Sequence, residues 1–254
     1  MGLTIEEIEN INPVAELDYQ GTKLLFSSPN RMTLWRAQSL TTKEPDTLEW
    51  INGFSRDDVM LDIGANVGMY TIVAAKVYGV KVFAFEPESS NFALLNKNIF
   101  INNLQGVAKA FPVAVAEKSG FGDLNLSQFK PGGSCHNFGE AIDFKHEPFN
   151  ASYVQGAYST TIDDLINMQA IPMPQHIKID VDGIEEKVIA GGKETLKRPE
   201  LKSVLIEINT NLIPHREIVQ YMLGEGFSYS DEQVNKYLRK EGAFEGVGNY
   251  IFYR

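Results

Sequence analysis

Residues 59–71, Val-Met-Leu-Asp-Ile-Gly-Ala-Asn-Val-Gly-Met-Tyr-Thr, constrain this chain more than any other stretch. A short apolar run ends in a carboxylate, the pattern of a buried strand reaching its sheet edge. Glycines at 64 and 68 follow, and Tyr70 to Ala75 reads as a helix start. Strand, small-residue loop and helix is the geometry that lets backbone approach a nucleotide-like ligand. The competing reading is a sharp βα turn in an ordinary α/β protein. The dinucleotide fingerprint G-x-G-x-x-G fits poorly, because Asn66 and Met69 stand at its second and third positions.

A second apolar run, Lys81 to Phe85, again ends in an acid, Glu86, and Pro87 stops the ladder. Glu86 follows Asp62 at about the spacing of a ribose-binding carboxylate in a nucleotide fold, where two oxygens accept from the two ribose hydroxyls. Strands then alternate with helices. Asn91 to Asn103 is helical by its apolar spacing, Val107 to Val115 reads as a third strand, His176 to Gly183 as a fourth, ending in acids, and Ser203 to Asn209 as a fifth. Phe227–Ser230 and Tyr250–Tyr253 supply two last strands. The expected fold is α/β, a doubly wound and mostly parallel sheet with ligands at the carboxyl ends of its strands. Asp62, Glu86, Asp180, Asp182 and Glu207 should gather there.

With 254 residues and a 43% hydrophobic fraction the chain can bury one large core. A formal net charge of −10 argues against nucleic acid and against an anionic membrane surface as partners. Cys135 is the lone cysteine, which excludes an internal disulfide and a multi-cysteine zinc site. No apolar run is long enough to span a bilayer, and the acidic start is not a signal peptide, so a cytoplasmic protein is expected.

Residues 1–55 form an N-terminal extension: a hairpin of Ala15–Tyr19 and Lys23–Ser27 around Gln20-Gly21, a helix over Arg31–Leu40, and a helix over Pro45–Asn52 capped by Thr41 or Thr42. Residues 56–254 form the ligand-binding domain, with 118–158 as an irregular insertion that shapes the pocket and in which Gly120–Phe129 reads as a hairpin arm. Within the insertion, Pro131 to Phe138 is a glycine-containing loop, and its His136 is either a substrate contact or base or a plain surface histidine. Cys135 has no evident activating partner. Thr161 with Asp164 three residues on is a helix start rather than chemistry.

The spacing D-x-G-x-N-x-G of Asp62 to Gly68 resembles the first motif of class I methyltransferases. Further matches are Ser28-Pro29-Asn30, Leu34-Trp35-Arg36, Phe85-Glu86-Pro87, the Thr161–Leu165 segment, and Lys178-Ile179-Asp180-Val181-Asp182-Gly183-Ile184-Glu185. Together they resemble the FkbM-type methyltransferase family over about residues 28–209, with Asp182 standing where that family has glutamate. The resemblance implies a Rossmann-like sheet of seven strands with the last antiparallel. It implies S-adenosylmethionine as methyl donor, S-adenosylhomocysteine as product, and a small-molecule hydroxyl acceptor of the sugar or polyketide kind. Asp62, Gly64, Asn66, Gly68 and Glu86 would hold the cofactor, and Asp180 would lie beside the reacting centre. In such a fold Glu117, after the third strand, is a candidate for the adenine amino group, equally read as a solvated acid. Asp180, Asp182, His136 and His215 are the candidate bases, with Asp180 first. Two other classes fit less of the chain: a metal-dependent nucleotide-sugar transferase using the D-x-D pair Asp180 and Asp182, and a noncatalytic S-adenosylmethionine-binding module. A divalent metal is compatible with the acids but not expected, and a homodimer is the expected assembly.

Overall fold

The computed structural model describes residues 2–254. The chain opens with α1 (Ile5–Asn10) and a hairpin of β1 (Val14–Tyr19) and β2 (Thr22–Ser27). Gln20 and Gly21 both take positive φ, 52° and 75°, as a two-residue hairpin turn requires. Helices α2 (Arg31–Gln38), α3 (Leu40–Lys43) and α4 (Pro45–Asn52) follow. Asn30 caps α2 by accepting from Thr33 N. Thr41 and Thr42 lie inside α3 and cap nothing; Glu44 precedes α4, with Pro45 in its first turn. The hairpin is bolted to the body. Leu24 and Phe26 sit in the same core as Ile72 and Leu95, and Asn98 and Asn102 accept from Ser27 N and Leu25 N at 2.7 and 3.1 Å.

Next come β3 (Val59–Ile63), α5 (Met69–Val77), β4 (Lys81–Phe85), α6 (Ser89–Ile101), β5 (Ala108–Phe111), β6 (Ala114–Val115), β7 (Gly120–Leu126), β8 (Asn137–Phe138) and β9 (Tyr153–Thr160). The chain ends with α7 (Ile162–Asn167), β10 (His176–Ile179), α8 (Glu185–Ala190), α9 (Lys193–Leu196), β11 (Ser203–Asn209), α10 (Ile213–Gly224), α11 (Asp231–Tyr237) and β12 (Val247–Tyr253). The main sheet runs β12-β11-β10-β3-β4-β5, parallel except for β12. Successive residues of each strand serve opposite faces. Met60, Val82 and Ala84 pack with α5 and α6, whereas Leu61, Ile63, Phe83 and Phe85 pack with α7, α8 and α10.

The sheet differs from the sequence expectation in three places. It has six strands rather than seven, because Phe227–Ser230 contributes only the bridge Ser228–Tyr253. Ser230 accepts from Gln233 N and starts α11, which turns the chain away before a second pair forms. The expected strand over Val107–Val115 divides at Pro112, which has no N–H to donate, and its second half joins another sheet. That sheet, β6-β9-β7-β8, occupies the region expected to be irregular. β7 and β9 pair antiparallel from Gly120↔Ser159 to Leu126↔Tyr153.

Candidate active site

The loop after β3 is shaped by contacts that leave no room for a side chain. Gly64 has φ +80°, and a Cβ there would lie 1.8 Å from the Asp180 carbonyl oxygen. Gly68, at φ +84°, faces Leu95 as closely as 2.4 Å. Asp62 lies beneath this loop, 1% exposed, accepting from Thr71 Oγ1 at 2.5 Å while its Oδ1 has no partner. Burial raises its pKa, against the neighbouring Lys178. Glu86 closes the loop from the next strand: Oε2 accepts from Asn66 N at 2.8 Å and Oε1 from Glu88 N at 2.9 Å. Burial outweighs both N–H groups and pushes its pKa up to about 7.

Beside Glu86 lies an apolar slot walled by Phe85, Val113, Val115, Leu124 and Phe138, of about 60 Å³. Residues 130–136 roof it, and four side chains hold the carbonyls of residues 131–133. Asn30 donates to Pro131 O at 2.9 Å, Arg36 Nε to Gly132 O at 2.7 Å, and Asn66 and Asn91 to Gly133 O at 2.7 and 3.1 Å. His136 faces the slot. Its Nδ1 accepts from Ser127 N at 3.3 Å, its Nε2 has no partner, and burial lowers its pKa, keeping the ring neutral.

A second cavity of about 440 Å³ adjoins the slot and shares Gly64, Asn66, Ser134, Asp180 and Asp182 with it. Asp180 accepts from Lys178 Nζ at 2.7 Å. Burial alone would raise its pKa, but the Lys178 ammonium outweighs that and holds it at about 2. Asp182 differs. Its backbone is left-handed, φ 60°, and its Oδ2 accepts from Cys135 N at 2.7 Å. Burial, with repulsion from Asp180, pushes its pKa to about 6. The strained turn is held from inside by Glu185, whose carboxyl accepts from Val181 N and Gly183 N. The far wall carries Trp35, Arg36, Lys43, Glu207, Arg239 and Phe244. Glu207 pairs with Arg239 at 3.1 Å, yet burial and the charge of Asp180 push it up to about 8.

Of the residues singled out from sequence, Gly64, Asn66, Glu86, His136 and Asp180 line the two cavities, and Asp62 and Gly68 brace the loop from below. Glu117 is exposed and lines neither. Arg36, Lys43 and Arg239 were not legible as site residues; Trp35 is 49% exposed at the cavity wall. His215, the remaining candidate base, lies behind the Asp182 turn with His146 and Glu186, their ligand atoms within 4.8 Å of one another. His215 Nδ1 accepts from Asn209 N at 3.0 Å, so the neutral ring carries its proton on Nε2, toward Glu185 and Glu186. His146 Nε2 donates to Gly183 O at 2.6 Å. Both Nε2 atoms thus carry protons, which does not suit metal ligation, and His215 Nε2 and Glu186 Oε2 are buried without a hydrogen bond among the described residues.

The sequence of residues 62–229 matches the methyltransferase FkbM domain. The chain is 24% identical over 197 residues to the hexuronic acid methyltransferase AglP of Haloferax volcanii, covering 78% of this chain and 75% of that one. It is 28% identical over 198 residues to the 31-O-demethyl-FK506 methyltransferase FkbM of Streptomyces tacrolimicus, covering 69% and 75%. Among solved structures, the methyltransferase FkbM of Methylobacillus flagellatus superposes with a TM-score of 0.52 at 16% identity, over 79% of this chain and 44% of that one, so this chain spans less than half of that protein. The sheet order and the parallel strands agree with the class I methyltransferase fold. By its matched domain, this chain belongs to the FkbM methyltransferase family.

Proposed function

We propose that this chain transfers the methyl group of S-adenosylmethionine to a hydroxyl of a small molecule and releases S-adenosylhomocysteine. The observation that carries this reading is the meeting of an apolar slot and a larger polar cavity at Asp180 and Asp182. The donor set suits the cofactor. Glu86 offers a carboxylate at the slot mouth for ribose hydroxyls, Gly64 and Asn66 line the cavity beside it, and the apolar walls suit an adenine ring. Asp62 and Gly68 hold that loop in shape. S-adenosylmethionine brings a methyl group already activated on a sulfonium, so the protein's share is alignment and proton management.

In this reading the acceptor's proton goes to Asp182. Asp180, the first choice from sequence, is held by Lys178 as a permanent carboxylate and so is a weak base, better suited to orienting a hydroxyl or facing the sulfonium charge. Asp182, raised to about 6, is ionised at neutral pH and still basic enough to take a proton. His136, neutral with a free Nε2, completes the polar rim. Two relatives, one named as a hexuronic acid methyltransferase and the other as a 31-O-demethyl-FK506 methyltransferase, support a small-molecule acceptor and, in the second case, oxygen as the methylated atom. The nucleotide-sugar transferase reading is weaker, since the Lys178 ammonium already sits where the first acid of the D-x-D pair would meet a cation.

The test is calorimetric titration of the protein with S-adenosylmethionine and S-adenosylhomocysteine, repeated on Glu86→Ala and Asp62→Ala. Binding by the native chain and its loss in Glu86→Ala are expected. Absence of binding to either ligand by the folded native chain would overturn the assignment, and binding with no transfer to any hydroxylated acceptor would favour a noncatalytic module.

A further inference from the structure

Arg36 stands apart from the other cations at the larger cavity. Lys43 is paired with Glu44, Arg239 with Glu207 at 3.1 Å, and Lys178 with Asp180 at 2.7 Å. Arg36 has no carboxylate within ion-pair distance among the described residues. Its Nε donates to Gly132 O at 2.7 Å, which fixes the guanidinium against the roof loop, and its two terminal nitrogens make no hydrogen bond among the described residues. In a chain with 33 acidic and 23 basic side chains, a half-buried guanidinium left without an acid is an exception to explain. It lines the cavity beside Trp35, which presents an exposed ring, and Asp182 lines the same cavity where it meets the slot.

We propose that the acceptor carries a carboxylate that docks on the terminal nitrogens of Arg36, while a hydroxyl of the same molecule meets Asp182 and a ring face lies against Trp35. This rests on the methyltransferase reading and specifies its substrate class as a hydroxylated carboxylic acid of sugar size. A guanidinium fixed through Nε presents its end-on fork, which matches the two oxygens of a carboxylate. The cavity volume of about 440 Å³ accommodates a monosaccharide acid. A neutral acceptor would cover the Arg36 charge with nothing to replace its water, at a cost in affinity. A phosphate dianion would bring a second negative charge toward Asp180 and Asp182, so a single carboxylate suits the site better.

The experiment is a ligand-observed NMR titration of the protein saturated with S-adenosylhomocysteine. The probes are methyl glucopyranosiduronate, methyl glucopyranoside and glucose 6-phosphate, applied to the native chain, Arg36→Gln and Arg36→Lys. The uronate should bind about tenfold or more tightly than the neutral glycoside. Arg36→Gln should erase that preference, Arg36→Lys should keep part of it, and S-adenosylhomocysteine affinity should stay the same in all three. Equal binding of the uronate and the neutral glycoside, no binding of the uronate, tighter binding of the phosphate, or a preference that survives Arg36→Gln would each overturn the proposal. Failure of S-adenosylhomocysteine itself to bind would bring down the methyltransferase reading, and this proposal with it, so the two failures are told apart in the first titration.

Discussion

The two ends of the parallel sheet bury similar polar chemistry to opposite effect. At the amino end, His176 is 5% exposed and lies stacked on Phe54 with ring centroids 3.6 Å apart. Trp50 Nε1 donates to Ser203 Oγ at 2.8 Å, Ser203 to His176 Nδ1 at 2.7 Å, and His176 Nε2 to Asp58 at 3.0 Å. Lys202 and Ser55 N complete Asp58 at 2.6 and 2.9 Å. The Ser-His-Asp composition suggests a hydrolase, but Ser203 is 1% exposed and its hydroxyl already accepts from Trp50 and donates to His176. At the carboxyl end, Asp62 Oδ1, Glu44 Oε2 and His136 Nε2 are buried without partners, Asn66 and Asp182 sit in left-handed backbone, and Glu86, Asp182 and Glu207 have raised pKa values. A polar cluster that serves stability satisfies itself; one that serves a ligand leaves atoms and strain for the ligand to use.

The largest effect that would sharpen this contrast is on rate. Asp182→Asn should lower methyl transfer about 10²–10⁴-fold while leaving unfolding free energy within about 0.5 kcal/mol, since asparagine tolerates the left-handed backbone. In the native chain, kcat/KM should fall below about pH 6, the value set for Asp182 by its burial. Single-turnover assays beside denaturant unfolding decide it; a variant that loses stability and rate together would make Asp182 a structural residue.

The converse break is at the amino end. His176→Ala removes a stacked ring and leaves Asp58 and Ser203 each short of a partner, so it should destabilise the fold by about 2–4 kcal/mol. S-adenosylhomocysteine affinity of the folded variant should not change. Smaller again is Glu86→Gln, which keeps one acceptor for the loop N–H groups but loses the second. Affinity for S-adenosylhomocysteine should drop about tenfold, read by calorimetry, with a loss of unfolding free energy of about 1–3 kcal/mol for the N–H left without an acceptor. An intact affinity would remove Glu86 from the cofactor site.

How far each end could be foreseen depended on how local its determinants are. The strands β3, β4, β10 and β11 are buried on both faces and so read as largely apolar runs, and the slot side of the site follows from the acids at or near their ends, Asp62, Glu86 and Asp180. The larger cavity is lined by Arg36, Lys43, Glu207 and Arg239, some two hundred positions apart in sequence, and no spacing rule joins them. The second sheet was legible only in part, in the hairpin arm over Gly120–Phe129 that becomes β7. β7 carries Gly120, Gly122, Asp123 and Asn125, poor strand formers locally, and is a strand only because β9 pairs with it along its whole length. The His176 network was silent, since its partners come from residues 50, 58, 202 and 203.

The remaining effect concerns pH, and the two ends should pull in opposite directions. At the amino end, burial lowers the His176 pKa below its ordinary 6.5, so its stabilising effect is lost as pH falls through that range. For Asp58, burial is outweighed by the hydrogen bonds from Lys202 and His176, so its contribution is lost only in more acid solution. At the carboxyl end the sign reverses. Glu86 at about 7 and Glu207 at about 8 bind protons more tightly in the folded than in the unfolded chain. Their stabilisation is full below the unfolded value near 4.5 and is lost as pH rises through 7 and 8. Glu207→Gln removes one such group, so its stability relative to the native chain should improve between pH 5 and pH 8 by about 1–3 kcal/mol, the linked cost of ionising one buried carboxylate. Urea unfolding at pH 5, 6, 7 and 8 measures the gap directly. Parallel curves would mean that Arg239 already neutralises Glu207, and the cavity would then present one acid fewer to its ligand.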